Sequence, residues 1–132
     1  MIKLSAFADE AADELDRQIS ALKQCKINYL ELRSVNKKNV AEFSATASKE
    51  YFARLTGENI KVWAIGSPLG KTDISVDLSK FLSDIKRVCE TTCLFNCDKV
   101  RVFSFFNAYE QENKVTDYLN RATEEAEKFG VT

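Results

Sequence analysis

Histidine is absent from the 132 residues. Its absence removes the mixed Cys/His zinc patterns. The four cysteines, Cys25, Cys89, Cys93 and Cys97, include no CxxC pair, so reduced thiols are expected in place of a metal site or disulfide scaffold. A spacing of four puts Cys89 and Cys93 on one helix face as small buried thiols, and Cys97 falls in a helix-to-strand turn. No apolar run approaches the roughly 20 residues of a transmembrane helix. Asp9, Glu10, Asp13, Glu14 and Asp16 stand where a signal peptide would need an apolar core. An excess of one charge is missing too: 19 Lys and Arg face 20 Asp and Glu, a formal net charge of −1. With no basic block, neither nucleic acid nor a membrane surface is an expected partner. A cytoplasmic location is the expectation.

What is present is an ordinary balance of 45% hydrophobic and 30% charged residues, enough for one domain with one core. Short apolar runs alternate with longer helical ones. Ile2–Phe7 suits a strand. Asp13 can cap a following helix whose Leu15, Ile19 and Leu22 recur at spacings of four and three. Tyr29–Arg33 alternates faces as a second strand, and a polar stretch from Ser34 to Ala41 follows. Ser44 is placed to cap a helix carrying Tyr51, Phe52 and Leu55, with Gly57 to end it. Lys61–Ile65 reads as strand three, closed by the loop Gly66–Lys71. Leu78, Phe81, Leu82, Ile85, Val88 and Cys89 stripe the third helix. Lys99–Phe103 reads as strand four, and Val115, Tyr118, Leu119, Ala122, Ala126 and Phe129 mark the fourth helix. Gly130-Val131-Thr132 then looks like a helix stop and the first residues of a fifth strand.

Strand and helix in strict alternation imply right-handed crossovers and a parallel sheet. The expected fold is α/β: residues 1–132 as a single (β/α)4 domain, half of a TIM (β/α)8 barrel, truncated at the start of strand five. A full barrel needs roughly 250 residues, and an open four-stranded sheet leaves edges unpaired and one face uncovered. Either a second copy completes it, or the sequence is a fragment or split gene product.

Ligands of β/α folds bind at the C-terminal ends of the strands. There lie Asp9 and Glu10, then Glu31 and Arg33 on one face of strand two, the Gly66–Lys71 loop, and Arg101 with Ser104, Phe105 and Phe106. Glu31, Arg33, Ser67, Lys71 and Arg101 are the candidate substrate contacts. Glu31 and Arg33 could equally pair with each other or with Arg101 inside a polar barrel layer. Asp9 and Glu10 could simply favour a helix N-terminus. The loop lacks GxxxxGK[ST] spacing, yet its backbone N–H groups and Lys71 suit one sugar phosphate or carboxylate. Phe103, Phe105 and Phe106 read first as packing. A receiver domain would need an Asp where Gly66-Ser67-Pro68 stands, and a flavodoxin a hydroxyl-rich first loop.

Four strings carry a resemblance: Lys3-Leu4-Ser5-Ala6-Phe7-Ala8-Asp9-Glu10, Tyr29-Leu30-Glu31-Leu32-Arg33, Ile65-Gly66-Ser67-Pro68-Leu69-Gly70-Lys71 and Val100-Arg101-Val102-Phe103-Ser104-Phe105-Phe106. Together they resemble the N-terminal half of xylose-isomerase-like TIM barrels, the sugar-phosphate isomerases/epimerases and the related endonuclease IV-type barrels. The resemblance implies a divalent-metal site such as Mn²⁺ or Mg²⁺, and a glutamate pair moving a proton between neighbouring carbons of a sugar or sugar phosphate. It also implies that the metal ligands and catalytic glutamates come from strands five to eight. No cofactor, metal ligand or catalytic residue is therefore expected in this chain, which would be half of a metal-dependent isomerase/epimerase, inactive alone. The alternative is a non-catalytic half-barrel that pairs into a homodimer, or that meets a complementary half-barrel.

Overall fold

The computed structural model describes residues 1–132. Four parallel strands form one sheet in the order β1 (Ser5–Ala6), β2 (Tyr29–Leu32), β5 (Lys61–Gly66) and β6 (Val100–Arg101). Between them run α1 (Leu15–Gln24), α2 (Ala45–Gly57), α3 (Leu78–Leu94) and, after β6, α4 (Glu112–Glu127). A small antiparallel hairpin, β3 (Ser34–Val35) with β4 (Lys38–Asn39), follows β2. Each parallel crossover carries a helix, as parallel pairing requires.

Register sorts the residues into two faces. Ala6 lies beside Leu30 and Leu30 beside Val62, while Leu32, Ile65 and Val100 align. This set turns to the helices: Leu30, Leu32 and Ile65 are each at most 1% exposed and join one core with Ile19, Leu22, Leu55, Phe81, Ile85 and Val88. Burying each such side chain stabilises the fold by about 1.5–3 kcal/mol. The other face carries Ser5, Tyr29 and Lys61 in one row, Glu31 beside Ala64, and Gly66 beside Arg101. The register shifts between Leu30 and Glu31, leaving Trp63 as an extra, unpaired residue of β5. Such a bulge re-aims its side chain, and Trp63 stays 42% exposed on a largely apolar strand.

The helices stop by one device. Lys26, Asn59, Asn96 and Gly130 all have positive φ, and the next residue's N–H reaches back to the last turn: Ile27 to Leu22, Ile60 to Leu55, Cys97 to Thr92 and Val131 to Ala126. This is the left-handed helix stop with its six-to-one hydrogen bond. The stop for α2 is thus Asn59, two residues beyond the expected Gly57, because asparagine also tolerates that backbone region. At the α1 start, extended Glu14 precedes the helix without a side-chain cap. Asp13, the expected cap, instead offers its carbonyl to Asn36 N–H and to Gln18 Nε2. Ser44 caps α2 as expected, accepting from the Ala47 N–H at 3.1 Å.

The polar stretch from Ser34 contains the hairpin, whose turn residues Asn36 and Lys37 have φ of 52° and 63°, as a tight type I′ turn demands. Strand four is shorter than Lys99–Phe103, because Phe103 leaves the sheet to hydrogen-bond Leu69. Val131 and Thr132 do lie along β6: Thr132 N–H donates to Asp98, and Val100 N–H to Thr132. Among the cysteines, Cys89 and Cys97 are buried, but Cys93 is exposed together with Cys25. One helical step of four residues rotates about 40°, enough to carry Cys93 off the core face. No helix is long and apolar enough to cross a membrane.

Candidate functional site

The C-terminal ends of the strands bring two arginines and two phenylalanines together. Gly66 is the pivot. A Cβ there would lie 2.9 Å from the Phe7 ring, 3.3 Å from Arg101 Nη2 and 3.3 Å from Arg33 Cβ. Three strand ends meet over this one residue because it has no side chain. The Arg33 guanidinium lies 5.2 Å and that of Arg101 5.8 Å from the Phe7 ring centre.

The two arginines differ in charge balance. Arg33 donates to Asp9 Oδ2 at 2.7 Å and Glu10 Oε1 at 2.5 Å. Those hydrogen bonds, Asp9 first, hold its guanidinium above the ordinary arginine value despite burial. Asp9 also accepts from the Ser34 hydroxyl at 2.6 Å. Asp9 and Glu10 sit in a 3-10 turn, Ala8–Glu10, so their role is to clasp Arg33 and fix the loop after β1 to that after β2. Glu31 pairs with neither arginine; it accepts the Ser5 hydroxyl at 2.7 Å across the inner face.

Arg101 has no carboxylate. Its guanidinium stacks 4.3 Å from the Phe103 ring centre, and its Nε is buried without a hydrogen-bond partner, as is Asp9 Oδ1. Lys71 is exposed, forms no ion pair, and reaches the same Phe103 ring at 5.7 Å. Two cations free of carboxylate partners thus share one aromatic platform.

Backbone hydrogen bonds hold that platform in place. The Gly66–Ile74 loop zips onto residues 103–106: Phe103 N–H donates to Leu69, Phe105 to Gly70, Phe106 to Thr72, and Ile74 back to Phe106. Gly70 makes this approach possible, since its φ is +75° and a Cβ would sit 1.9 Å from the Phe103 carbonyl oxygen. Ser67 is fully buried: its hydroxyl donates to the Arg101 carbonyl at 2.6 Å and accepts from Leu69 N–H. Its polar capacity is spent locking the loop to β6, with nothing turned to a ligand. Phe105, at φ 74°, packs against Phe81 and Tyr118, whereas Phe106 is half exposed.

Sequence reasoning placed Arg33, Lys71, Arg101, Glu31 and Ser67 at this end of the sheet, and the structure puts them there. It did not single out Phe7, the Asp9–Arg33–Ser34 clasp or Phe103 as a shared platform. Phe7 was accessible in principle, since it continues the alternation of Lys3 and Ser5. The clasp joins residues far apart in sequence and leaves no local signature.

No group of three or more Asp, Glu, Cys or His side chains is placed to hold a metal ion, and Asp9 and Glu10 are both occupied by Arg33.

The architecture is that of half a TIM barrel, four β/α units with the site-bearing loops at one end. A sugar phosphate isomerase/epimerase from Parabacteroides distasonis superimposes with a TM-score of 0.73 and 18% identity, over 98% of this chain and 49% of that one. A D-psicose 3-epimerase from Clostridium cellulolyticum gives 0.71 and 12%, over 98% and 50%. A probable 3-DHS dehydratase of petrobactin synthesis from Bacillus anthracis gives 0.69 and 16%, over 97% and 48%. The chain spans about half the length of these xylose-isomerase-like barrels, and at such identities the likeness establishes the fold. No protein-family model and no curated protein matches the sequence.

Proposed function

We propose that this chain is the substrate-binding half of a barrel that isomerises or epimerises sugars, and that it grips an anionic sugar derivative with Arg101 and Lys71. The observation that carries this reading is the pair of uncompensated cations on Phe103, one with a buried, unpartnered Nε. A phosphate or carboxylate would satisfy that donor and the exposed Lys71 together, and guanidinium geometry suits such oxygens. The buried Asp9 Oδ1 remains as an acceptor for a sugar hydroxyl. Arg33, neutralised by two carboxylates, is a positioning residue that holds the first two loops. Glu31 and Ser5 line the floor. Ser67 belongs to the scaffold.

The role proposed is binding and orientation. Proton transfer between carbons, and the divalent ion that would assist it, need groups these residues do not bring together. The likeness in fold to a sugar phosphate isomerase/epimerase and a psicose epimerase supports the substrate class.

Calorimetric titration with inorganic phosphate, D-fructose 6-phosphate and D-fructose tests the reading. Both phosphates should bind, with dissociation constants about millimolar, and the neutral sugar more weakly. Arg101→Met and Lys71→Met should each cost about tenfold, the worth of one charged hydrogen bond. Equal binding of D-fructose and its phosphate, or unchanged affinity in both variants, would sink the idea.

A further inference from the structure

The candidate site has two ends of opposite charge balance, and the proposed grip on the anion uses only one of them. Arg101 and Lys71 form the cationic end. At the other, Arg33 meets Asp9 at 2.7 Å and Glu10 at 2.5 Å, so this clasp holds one carboxylate more than it has cations. Both guanidinium groups lie beside the Phe7 ring, 5.2 and 5.8 Å from its centre, and a Cβ at Gly66 would meet both arginine side chains. A sugar held at Arg101 therefore has its far end near the clasp.

The two carboxylates of the clasp are not equivalent. The Asp9 side chain is 6% exposed, and its Oδ2 also accepts from Ser34, so it anchors Arg33 to the loops. The Glu10 carboxylate has no partner but Arg33, and its side chain is 71% exposed. Asp9 alone balances the arginine. Glu10 adds negative charge at the mouth and occupies the guanidinium nitrogen Nη2. A second anionic group arriving there meets a like charge and finds that donor taken, whereas a neutral hydroxyl meets no such repulsion. Specificity is often built in this way, by a repulsive group set against the wrong ligand. We infer that Glu10 is a specificity residue, which makes the site select sugars anionic at one end only. The anion sits on Arg101 and Lys71, the neutral end turns towards Arg33, and sugars anionic at both ends are rejected. The inference rests on the sugar reading and extends it from the class of ligand to its charge pattern and direction.

Calorimetric titration of the intact chain with D-fructose 6-phosphate and D-fructose 1,6-bisphosphate tests this, the readout being the ratio of the two dissociation constants. The wild-type chain should bind the monophosphate about fivefold tighter, and high salt should narrow the difference, because charges this exposed are screened. Glu10→Gln removes the surplus charge and loosens the hold on Nη2, so the preference should vanish or reverse. Glu10→Asp keeps the charge and should keep the preference, which a merely structural role for the side chain would not predict. Failure of the wild-type chain to bind either phosphate would remove the sugar reading and this inference with it. Monophosphate binding with the bisphosphate equally tight, a ratio left unchanged by Glu10→Gln, or a preference lost alike in both variants would overturn the inference alone.

Discussion

Replacing Gly70 by alanine tests whether the two loops at the mouth of the sheet depend on one close backbone approach. The new Cβ would lie 1.9 Å from the Phe103 carbonyl oxygen and 2.7 Å from its carbon. No rotation relieves this, because both partners are main chain. The left-handed backbone at Gly70 adds about 1 kcal/mol for any residue with a Cβ. Relief of the contact must separate the loops and weaken the bonds from Phe103 to Leu69 and from Phe105 to Gly70, each worth about 1 kcal/mol. A loss of about 3 kcal/mol follows, read as a fall of about 1–2 M in the urea midpoint by Trp63 fluorescence. Two further glycines calibrate the result. Gly130 has a φ of +68° but nothing within 4 Å of its missing Cβ, so Gly130→Ala isolates the backbone term at about 1 kcal/mol. Gly57, in the last turn of α2, has neither positive φ nor neighbour, and Gly57→Ala should be neutral or stabilising by up to about 1 kcal/mol. If Gly70→Ala costs no more than Gly130→Ala, the loops are not held by this approach and the platform under Arg101 is not preorganised.

Three other outcomes follow from the same geometry. Gln18 is 1% exposed, and its amide donates to the Asp13 and Ser34 carbonyls; Gln18→Ala should cost about 1–2 kcal/mol by removing both bonds, the Asp13 carbonyl keeping the Asn36 N–H and the Ser34 carbonyl losing this partner, measured by urea melts. Glu58 is held down to about 2 by Arg54 and then Lys23, against a reference of 4.5. Its contribution is therefore complete above pH 4.5 and is lost as pH falls towards 2; Arg54→Met should return its carboxyl titration, followed by NMR, towards the ordinary range. Burial pushes the Cys89 thiol up to about 11 and raises that of Cys97. An aromatic disulfide reagent at pH 8 should therefore label Cys25 and Cys93 quickly and the other two only on unfolding; rapid labelling of all four would contradict the packing of α3.

The order of strands and helices was legible because Leu30 and Leu32 alternate with Tyr29 and Glu31, and the stripe of α3 repeats at helical spacing. What escaped was set by backbone geometry or by distance along the chain. The hairpin of β3 and β4 turns on Asn36-Lys37, a pair without the glycine that advertises such turns. Helix ends fell at Lys26, Asn59 and Asn96, where polar residues adopt the left-handed conformation. At the mouth of the sheet, position on a strand end was readable, but allegiance was not. Arg33 and Arg101 look alike in sequence; only folding delivers Asp9 and Glu10 to the first and leaves the second between the Phe103 and Phe7 rings with no carboxylate. Ser67 shows the same limit, since a loop hydroxyl does not reveal whether it faces a ligand or its own backbone.

The recurring left-handed stop at the foot of each helix has a consequence for how such a chain changes over time. Each stop fixes where the next strand begins, through a bond that spans six residues and involves nothing from the far end of the sheet. Residues can be added to or removed from the loops at the mouth without shifting the phase of any helix against the strand that follows it. The frame is renewed at every unit, so chemistry at one end is free to diversify while the other keeps the count.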